Sequence, residues 1–325
     1  MAAYKILITE PIDQRAIDFL SDQGCEISIG TRGQLNTENA LIKALEDCNG
    51  AITMLSNPIT RRVMEARPNV KVFANFAVGY NNVDVTAAKD LGIRVSNTPD
   101  VLSEATADIA LALLLGVSRK ILAAESDLRD GKFDGWHPNG YVGVELFGKT
   151  AGIVGMGRIG KAIVRRLKGF GISTLYHNRN RIDRQTEQIL DATFTPDLDE
   201  MLSEIDFLFL SCPLTPETQH IINASRIEKL HPKVILINTG RGPLIDEAAL
   251  ADALINGKIS GAGLDVFEKE PEIHPLLLQA PNTLLLPHIG SATQETRYNM
   301  AMLCANSVLK VLQGEDPNRI SNLIA

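Results

Sequence analysis

The sequence predicts an α/β protein of two doubly wound parallel-sheet domains, the inner one a Rossmann dinucleotide-binding domain. Three observations carry this. Short apolar runs alternate with amphipathic helical patterns along nearly the whole chain, as chained βαβ units require. A long apolar helical pattern starting at residue 103 divides the alternation into two series. The glycine-spaced run GMGRIG (155–160) then sits between a strand pattern and a helix pattern at the head of the second series.

In the first series YKILIT (4–9), AITML (51–55), VKVFANF (70–76) and IRVSN (93–97) read as buried strands, and residues 13–23, 37–46, 60–67 and 83–91 have helical spacing. Residues 103–131 read as one long helix, too apolar on several faces for a surface helix and so expected to pack between two bodies. Arg119, Lys120 and Glu125 interrupt it and argue against a membrane span. TAGIVGMG (150–157), STLYH (173–177), DFLFLS (206–211), KVILINT (233–239), GAGLDV (261–266) and TLLLP (283–287) give the second series of strands. A last amphipathic helix covers 293–314 and stops at Gly314. The expected division is a substrate-binding domain over 1–100, a coenzyme-binding domain over 101–290, and a segment 291–325 that returns to the first domain.

Composition narrows the function. With 45% hydrophobic and 22% charged residues the chain is an ordinary globular protein. Its net charge of −7 argues against nucleic acid or an anionic membrane as the main partner. An anionic substrate therefore needs a local cationic pocket. Cys25, Cys48, Cys212 and Cys304 form no CxxC pair, so neither the usual zinc spacings nor a disulfide framework is present. MAAYKILITEP lacks the pattern of a signal peptide. No apolar stretch reaches the ~18–20 residues that span a bilayer, and the chain reads as cytoplasmic.

GMGRIG makes a specific physical demand. Gly155 permits a tight strand-to-helix turn, Gly157 lets a pyrophosphate approach the backbone, and Gly160 lets helix and strand pack closely. The following helix offers free N–H groups and the positive end of its dipole, so Arg158 and Ile159 at its start join the expected coenzyme contacts. Ligands of such sheets lie outside the carboxyl ends of the strands. Cys212, Pro213, Thr239, Gly240, Arg241 and Asp265 all fall there, with Thr218 close by in PLTPET.

Three strand ends carry groups suited to proton and anion chemistry: Arg241 in NTGRGPLID, Glu270 in DVFEKEPE and His288 in LLLPHIGSAT. Reducing a 2-oxo acid by hydride transfer needs a cation for the carboxylate, best met by the arginine fork. It also needs a proton donor near the carbonyl oxygen, and histidine titrates in the right range. A carboxylate beside that histidine favours the charged imidazolium. Spacing alone does not choose between Glu268 and Glu270 for that place.

The same residues carry a resemblance. FAVGYNNVD (76–84), ATADIALALLL (105–115), GKTAGIVGMGRIGKAIVRRLKGFG (148–171), SCPLTPETQHIIN (211–223), INTGRGPLIDEAAL (237–250), GAGLDVFEKEP (261–271) and LPHIGSAT (286–293) occur in order and at family spacing. Over nearly its whole length the chain resembles the D-isomer-specific 2-hydroxyacid dehydrogenases, and within them is most similar to the glyoxylate/hydroxypyruvate reductase branch. The resemblance implies that Arg241 binds the substrate, that His288 is the acid/base, and that Glu270 rather than Glu268 is its partner. It implies that Val78 and Gly79 hold the substrate carboxylate through their backbone, with Leu55 and Ser56 lining the same pocket. Thr106 and Asp265 would face the nicotinamide side, and Gly290 and His288 complete the expected coenzyme contacts. It further implies a homodimer formed through the coenzyme domain, small 2-oxo acids as substrates, and no metal; which side chain the substrate carries is left open and depends on loops near Leu55, Val78, Trp136 and Tyr298. Glyoxylate and hydroxypyruvate come first; 2-ketogluconate, pyruvate and aryl pyruvates are the alternatives. A non-catalytic NAD-sensing corepressor is the reading from another class, and the recognition tail it requires is not expected here.

One departure bears on the cofactor. Where NAD-dependent members place an Asp after the second coenzyme-domain strand, this chain has His177, followed by Asn178, Arg179, Asn180 and Arg181. The run lacks the acid that bonds the ribose hydroxyls and repels a 2′-phosphate, while Asn178, Arg179 and Asn180, with Arg181, supply donors that suit one. NADPH is therefore expected to be preferred, with NADH possible.

Overall fold

Every one of these apolar runs becomes a strand of one of two wholly parallel sheets in the computed structural model, which describes residues 4–325. One unit comprises the chain up to Leu102 together with Ala292–Ala325; the other is Ser103–Ser291.

The first unit has strands β1 (Lys5–Ile8), β2 (Glu26–Ile29), β3 (Gly50–Thr53), β4 (Val72–Asn75) and β5 (Arg94–Ser96), in the order β2-β1-β3-β4-β5. Helices α1 (Gln14–Asp22), α2 (Glu38–Ala44), α3 (Arg61–Ala66) and α4 (Val85–Leu91) connect them. Each helix starts behind an Asp or Thr (Asp13, Thr37, Thr60, Asp84) whose side chain accepts an otherwise orphaned amide of the first turn. The sequence reading lacked β2. Its residues are mostly exposed because it lies at the sheet edge, so it carries no apolar run to find. At the opposite edge the chain's last residues cover β5: Ile324 N–H donates to Val95 C=O (2.8 Å) and Asn97 N–H to Asn322 C=O (3.1 Å), which closes an edge that would otherwise be open to pairing.

The second unit begins with α5 (Ser103–Ser118) and α6 (Ile121–Arg129). Strands β6 (Thr150–Val154), β7 (Ser173–His177), β8 (Ala192–Phe194), β9 (Phe207–Leu210), β10 (Ile235–Asn238), β11 (Gly261–Leu264) and β12 (Thr283–Leu285) follow, ordered β12-β11-β10-β9-β6-β7-β8. The helices between them are α7 (Arg158–Gly169), α8 (Arg184–Leu190), α9 (Leu198–Glu204), the short α10 (Ala224–Ile227) and α11 (Glu247–Ile255). The three-residue edge strand β8 was also missed. The chain winds outward from β6 to β8, returns to β9 beside β6, and winds the other way to β12. The reversal between β6 and β9 is where such sheets leave a crevice for ligands. Tyr176, Phe207 and Phe209 are fully buried in this core; removing one to alanine costs about 3–5 kcal/mol.

The predicted single helix over 103–131 is in fact two. At the end of α5 the Ser118 carbonyl accepts the Val144 amide (2.8 Å), and a Cβ on Gly143 would lie 2.1 Å from that oxygen. A returning segment thus takes the carbonyl that the next helical turn needed. The chain breaks at Lys120, in the left-handed region at φ 52°. Both pieces are helical in spacing, and only the returning segment separates them. Finally α12 (Gln294–Leu312) packs on α1, β3 and β4 of the first unit.

Candidate active site

The turn GMGRIG is built from the closeness of β6 and β9. Gly155 has φ +102°, and a Cβ there would lie 2.4 Å from the Cys212 amide nitrogen. The Ser211 hydroxyl donates to the Gly155 carbonyl (2.7 Å). A Cβ on Gly160 would lie 2.2 Å from that same carbonyl, whereas one on Gly157 would meet nothing within 4 Å. Gly155 and Gly160 are thus required by the protein's own packing, and Gly157 is not. α7 begins at Arg158 with no side chain capping its first amides, so its N–H groups and positive dipole end stay available to an anion. Asn178 ties this turn to the end of β7: its Oδ1 accepts the Met156 amide (2.8 Å), which leaves its NH2 as a donor.

Beyond β7 the two arginines part company. Arg181 is committed to Glu187, with Nε to Oε1 at 2.8 Å and Nη2 to Oε2 at 2.7 Å. Glu187 also accepts the hydroxyl of the buried Tyr176 (2.5 Å), and burial first, then this bond, pushes the phenol up to about 12. The expectation that Arg181 offers a second fork for a phosphate is thereby corrected: Glu187 has taken it. Arg179 and Asn180 are exposed at the turn. A cleft of about 580 Å³ is lined by His177 at the end of β7 and by Pro196, Glu217 and Arg226 among others.

The other groups gather along adjacent strand ends. Arg241 follows β10, Asp265 and Glu270 follow β11, and His288 follows β12. His288 Nδ1 stands 2.8 Å from Glu270 Oε2, while Glu270 Oε1 accepts the Phe267 amide (3.0 Å). Burial raises the Glu270 carboxyl, but the His288 hydrogen bond and the nearby charges outweigh it and hold it below its ordinary value. A carboxylate has no proton to give, so Nδ1–H donates and Nε2 is the nitrogen left for chemistry. Glu268, the rival left open by spacing, instead faces His220 (Oε1 to Nε2, 3.1 Å).

His288 has φ +57°, a left-handed conformation rare outside glycine and asparagine. Asp265 holds it there: its two oxygens accept the amides of Ile289 and Gly290, each at 2.7 Å. Burial pushes the Asp265 carboxyl up, against the pull of those two bonds. Thr106 in the first turn of α5 borders the same spot, its methyl 3.4 Å from where a Cβ of Gly290 would stand. Burial lowers the Arg241 guanidinium from its ordinary value, opposed by Glu270; its Nη1 donates to the Gly240 carbonyl (2.7 Å). Asn238, not singled out in the sequence, orients this corner: Oδ1 accepts the Gly240 amide (3.0 Å) and Nδ2 donates to the Arg241 carbonyl (2.9 Å). Thr239 is buried beside it. The Thr218 hydroxyl is engaged within its own loop, donating to Pro213 C=O (2.8 Å) and accepting the Thr215 amide (2.8 Å). Cys212 is a thiol pushed up by burial to about 11.

In the first unit, Leu55 and Ser56 follow β3, and Val78 and Gly79 follow β4. Asn97 Nδ2 donates to the Val78 carbonyl (2.8 Å) and Asn75 Nδ2 to the Gly79 carbonyl (2.9 Å). The amides of Val78 and Gly79 have no acceptor among the described residues. Asn75 and Asn97 were not anticipated; a buried amide at a strand end is their only signal in the sequence. Among the described residues no three His, Cys, Asp or Glu side chains could hold a metal ion, and no helix is long and apolar enough to cross a membrane.

The NAD-binding domain of the D-isomer specific 2-hydroxyacid dehydrogenases matches residues 111–290. The glyoxylate reductase of Thermococcus onnurineus is 43% identical over 322 residues, 98% of this chain and 96% of its own. The chain belongs to the D-isomer-specific 2-hydroxyacid dehydrogenase family. Pyrococcus furiosus glyoxylate reductase is likewise 43% identical, covering 98% of this dehydrogenase and 95% of its own length. Among solved structures, an NADPH-dependent glyoxylate/hydroxypyruvate reductase from Sinorhizobium meliloti, in complex with NADP and malonate, has a TM-score of 0.86 at 39% identity, covering 96% of this dehydrogenase and 94% of that chain.

Proposed function

We propose that this dehydrogenase reduces glyoxylate to glycolate and hydroxypyruvate to D-glycerate, with NADPH as the preferred reductant. The observation that carries the reading is the His288–Glu270 pair on the strand ends next to Arg241. A bound nicotinamide dinucleotide supplies the hydride that reduces the 2-oxo carbon. Arg241 grips the substrate through its planar fork, and His288 Nε2 gives its proton to the carbonyl oxygen while Glu270 balances the imidazolium charge. The amides of Val78 and Gly79, their carbonyls pinned by Asn97 and Asn75, are assigned to the substrate carboxylate, with Leu55 and Ser56 beside it.

The residues present fit the dinucleotide. The open side of Gly157 and the uncapped start of α7 suit its pyrophosphate. Thr106, Asp265 and Gly290 are assigned to the nicotinamide side. Asn178 and the exposed Arg179 and Asn180 are assigned to the 2′-phosphate, with Arg158, Ile159, Cys212, Pro213, Thr218, Thr239 and Gly240 along the same rim. The named relatives favour this substrate class: the two archaeal proteins are called glyoxylate reductases, and the Sinorhizobium structure is described as NADPH-dependent.

The dehydrogenase is further assigned a homodimer. Helix α6 has no buried residue, and Ile121, Leu122, Leu128, Phe133 and Trp136 around it are more than half exposed, a patch of the kind that marks an interface. A second copy through this face fits the family. Sedimentation should give twice the chain mass, and Leu128→Asp should reduce it. The decisive assay sets a panel of 2-oxo acids against NADPH and NADH. A specificity constant about tenfold higher for an aryl pyruvate, pyruvate or 2-ketogluconate would displace the substrate, and equal use of NADH would displace the cofactor preference.

A further inference from the structure

Glu270 lies between Asp265 and Pro275, outside any helix or strand, and within that segment its carboxylate accepts the Phe267 amide (3.0 Å). Glu247, in the first turn of α11, supplies two bonds that bracket it. Glu247 is buried, only 6% exposed as a residue, yet it carries a carboxyl group. Its Oε2 accepts the amide of Glu268 (2.6 Å) and its Oε1 the amide of His274 (2.8 Å). Glu268 returns the contact, its Oε2 accepting the Glu247 amide (3.3 Å) and its Oε1 facing His220 Nε2 (3.1 Å). His220 in turn donates its own amide to the Pro243 carbonyl (2.8 Å), two residues past Arg241. At Gly242 the two loops touch backbone to backbone, where a Cβ would lie 1.9 Å from Phe267.

The α11 helix does not need this carboxylate. Asp246 already caps it, accepting the Ala249 amide (3.0 Å). A carboxylate so buried is costly to hold without hydrogen bonds, and the two it accepts fix residues 268 and 274 on either side of Glu270.

We propose that Glu247 is a positioning residue of the reaction, which acts through the Glu268 and His274 amides to hold Glu270 in register with His288. The proposal rests on the reading of Glu270 and His288 as the acid–base pair. The ionisable groups around the brace are His220, Glu268 and His274, with Arg241, Asp265, Glu270 and His288 beyond them.

The test compares Glu247→Gln, Glu247→Asp, Glu270→Gln and the double variant E247Q/E270Q, all as the full chain. Gln keeps the shape but offers one oxygen and turns an NH2 toward a donor; Asp keeps the charge but is too short to reach both amides. Glyoxylate reduction is expected to fall about ten- to a hundredfold in kcat for Glu247→Gln, the cost of a misplaced group, and less for Glu247→Asp. The dissociation constant for NADPH, read by fluorescence, should stay within about twofold. The alkaline limb of the kcat/KM profile should move to lower pH, the same direction expected for Glu270→Gln. The double variant should be no slower than Glu270→Gln alone within about twofold, since the brace acts only through Glu270. Unchanged kcat and profile in the Glu247 variants, or losses that multiply with that of Glu270→Gln, would overturn the proposal. If Glu247→Gln does not fold, Glu247→Asp and Glu268→Gln decide it on the same readouts. An unmoved limb in Glu270→Gln itself would instead overturn the underlying acid–base reading, and the positioning role with it.

Discussion

The two units are both parallel, doubly wound sheets, yet they furnish their strand ends in opposite ways. The first unit uses neutral amides: Asn57, Asn75 and Asn97 are buried and spend their hydrogen bonds on the backbone of neighbouring loops. The second unit uses groups that carry or exchange charge, namely Arg241, Asp265, Glu270 and His288. Neutral amides can shape a loop and leave its N–H groups turned outward at any pH. Charged groups can move protons, but each needs a partner to be held in place, which is why the second unit layers Asp265 and Glu247 behind them. Similar architecture thus carries neutral strand ends in one unit and ionisable ones in the other, which under the proposed function would divide recognition from chemistry.

That contrast can be broken at its strongest point. His288→Ala should lower kcat for glyoxylate by about 10²–10⁴-fold, the usual worth of a general acid, while leaving NADPH binding within about twofold. A variant that keeps a third of the activity would place the chemistry elsewhere. Arg241→Lys preserves charge and loses the fork; with a hydrogen bond to a charged group contributing about 1.5–3 kcal/mol, kcat/KM should drop about ten- to a hundredfold. Wild-type kinetics in steady-state assays would remove Arg241 from the site.

The pH profile of Glu270→Gln sharpens the comparison. Burial raises the Glu270 carboxyl, but the bond it accepts from His288 outweighs this and holds it below its ordinary value, so it is anionic across the working range and stands 2.8 Å from the ring as a counter-charge. Removing that anion should make the enzyme lose activity at lower pH as pH rises, moving the alkaline limb to the acid side. An alkaline movement would contradict the sign of the interaction.

Smaller effects test the rims. Arg179→Ala should raise KM for NADPH about tenfold and leave NADH unchanged, whereas Arg181→Ala, its guanidinium held by Glu187, should leave the NADPH/NADH ratio within about twofold. If the two variants behaved alike, the division of labour between these arginines would be wrong. In the neutral unit, Asn97→Ala should raise the substrate KM about fivefold, the cost of about 1 kcal/mol for one lost hydrogen bond. Its kcat should hardly change; a fall in kcat equal to that of His288→Ala would end the distinction between the units.

Sequence reasoning reached most of this where a residue's task is local. The alternation of apolar runs gave the buried strands, because the central strands β3, β4, β9, β10 and β11 are buried throughout and must be apolar on both faces. GMGRIG located the tight turn between β6 and α7, because Gly155 and Gly160 answer to contacts a few residues away and to the strand alongside. It missed β2 and β8, edge strands with little apolar surface, and it merged α5 with α6.

By itself, then, the sequence determined the α/β class, the two series of strands, the place of the glycine turn between β6 and α7 and the candidate groups Arg241, Glu270 and His288. Only the tertiary structure decided which partner each group had. Val144 ends α5 from 26 residues downstream by taking the Ser118 carbonyl. Glu187 claims Arg181 but not Arg179. Glu270 reaches His288 while Glu268, two positions away, turns to His220. A hydrogen bond is fixed by a separation of about 3 Å and a direction, and residues far apart along a chain acquire both only when the sheet that carries them has formed.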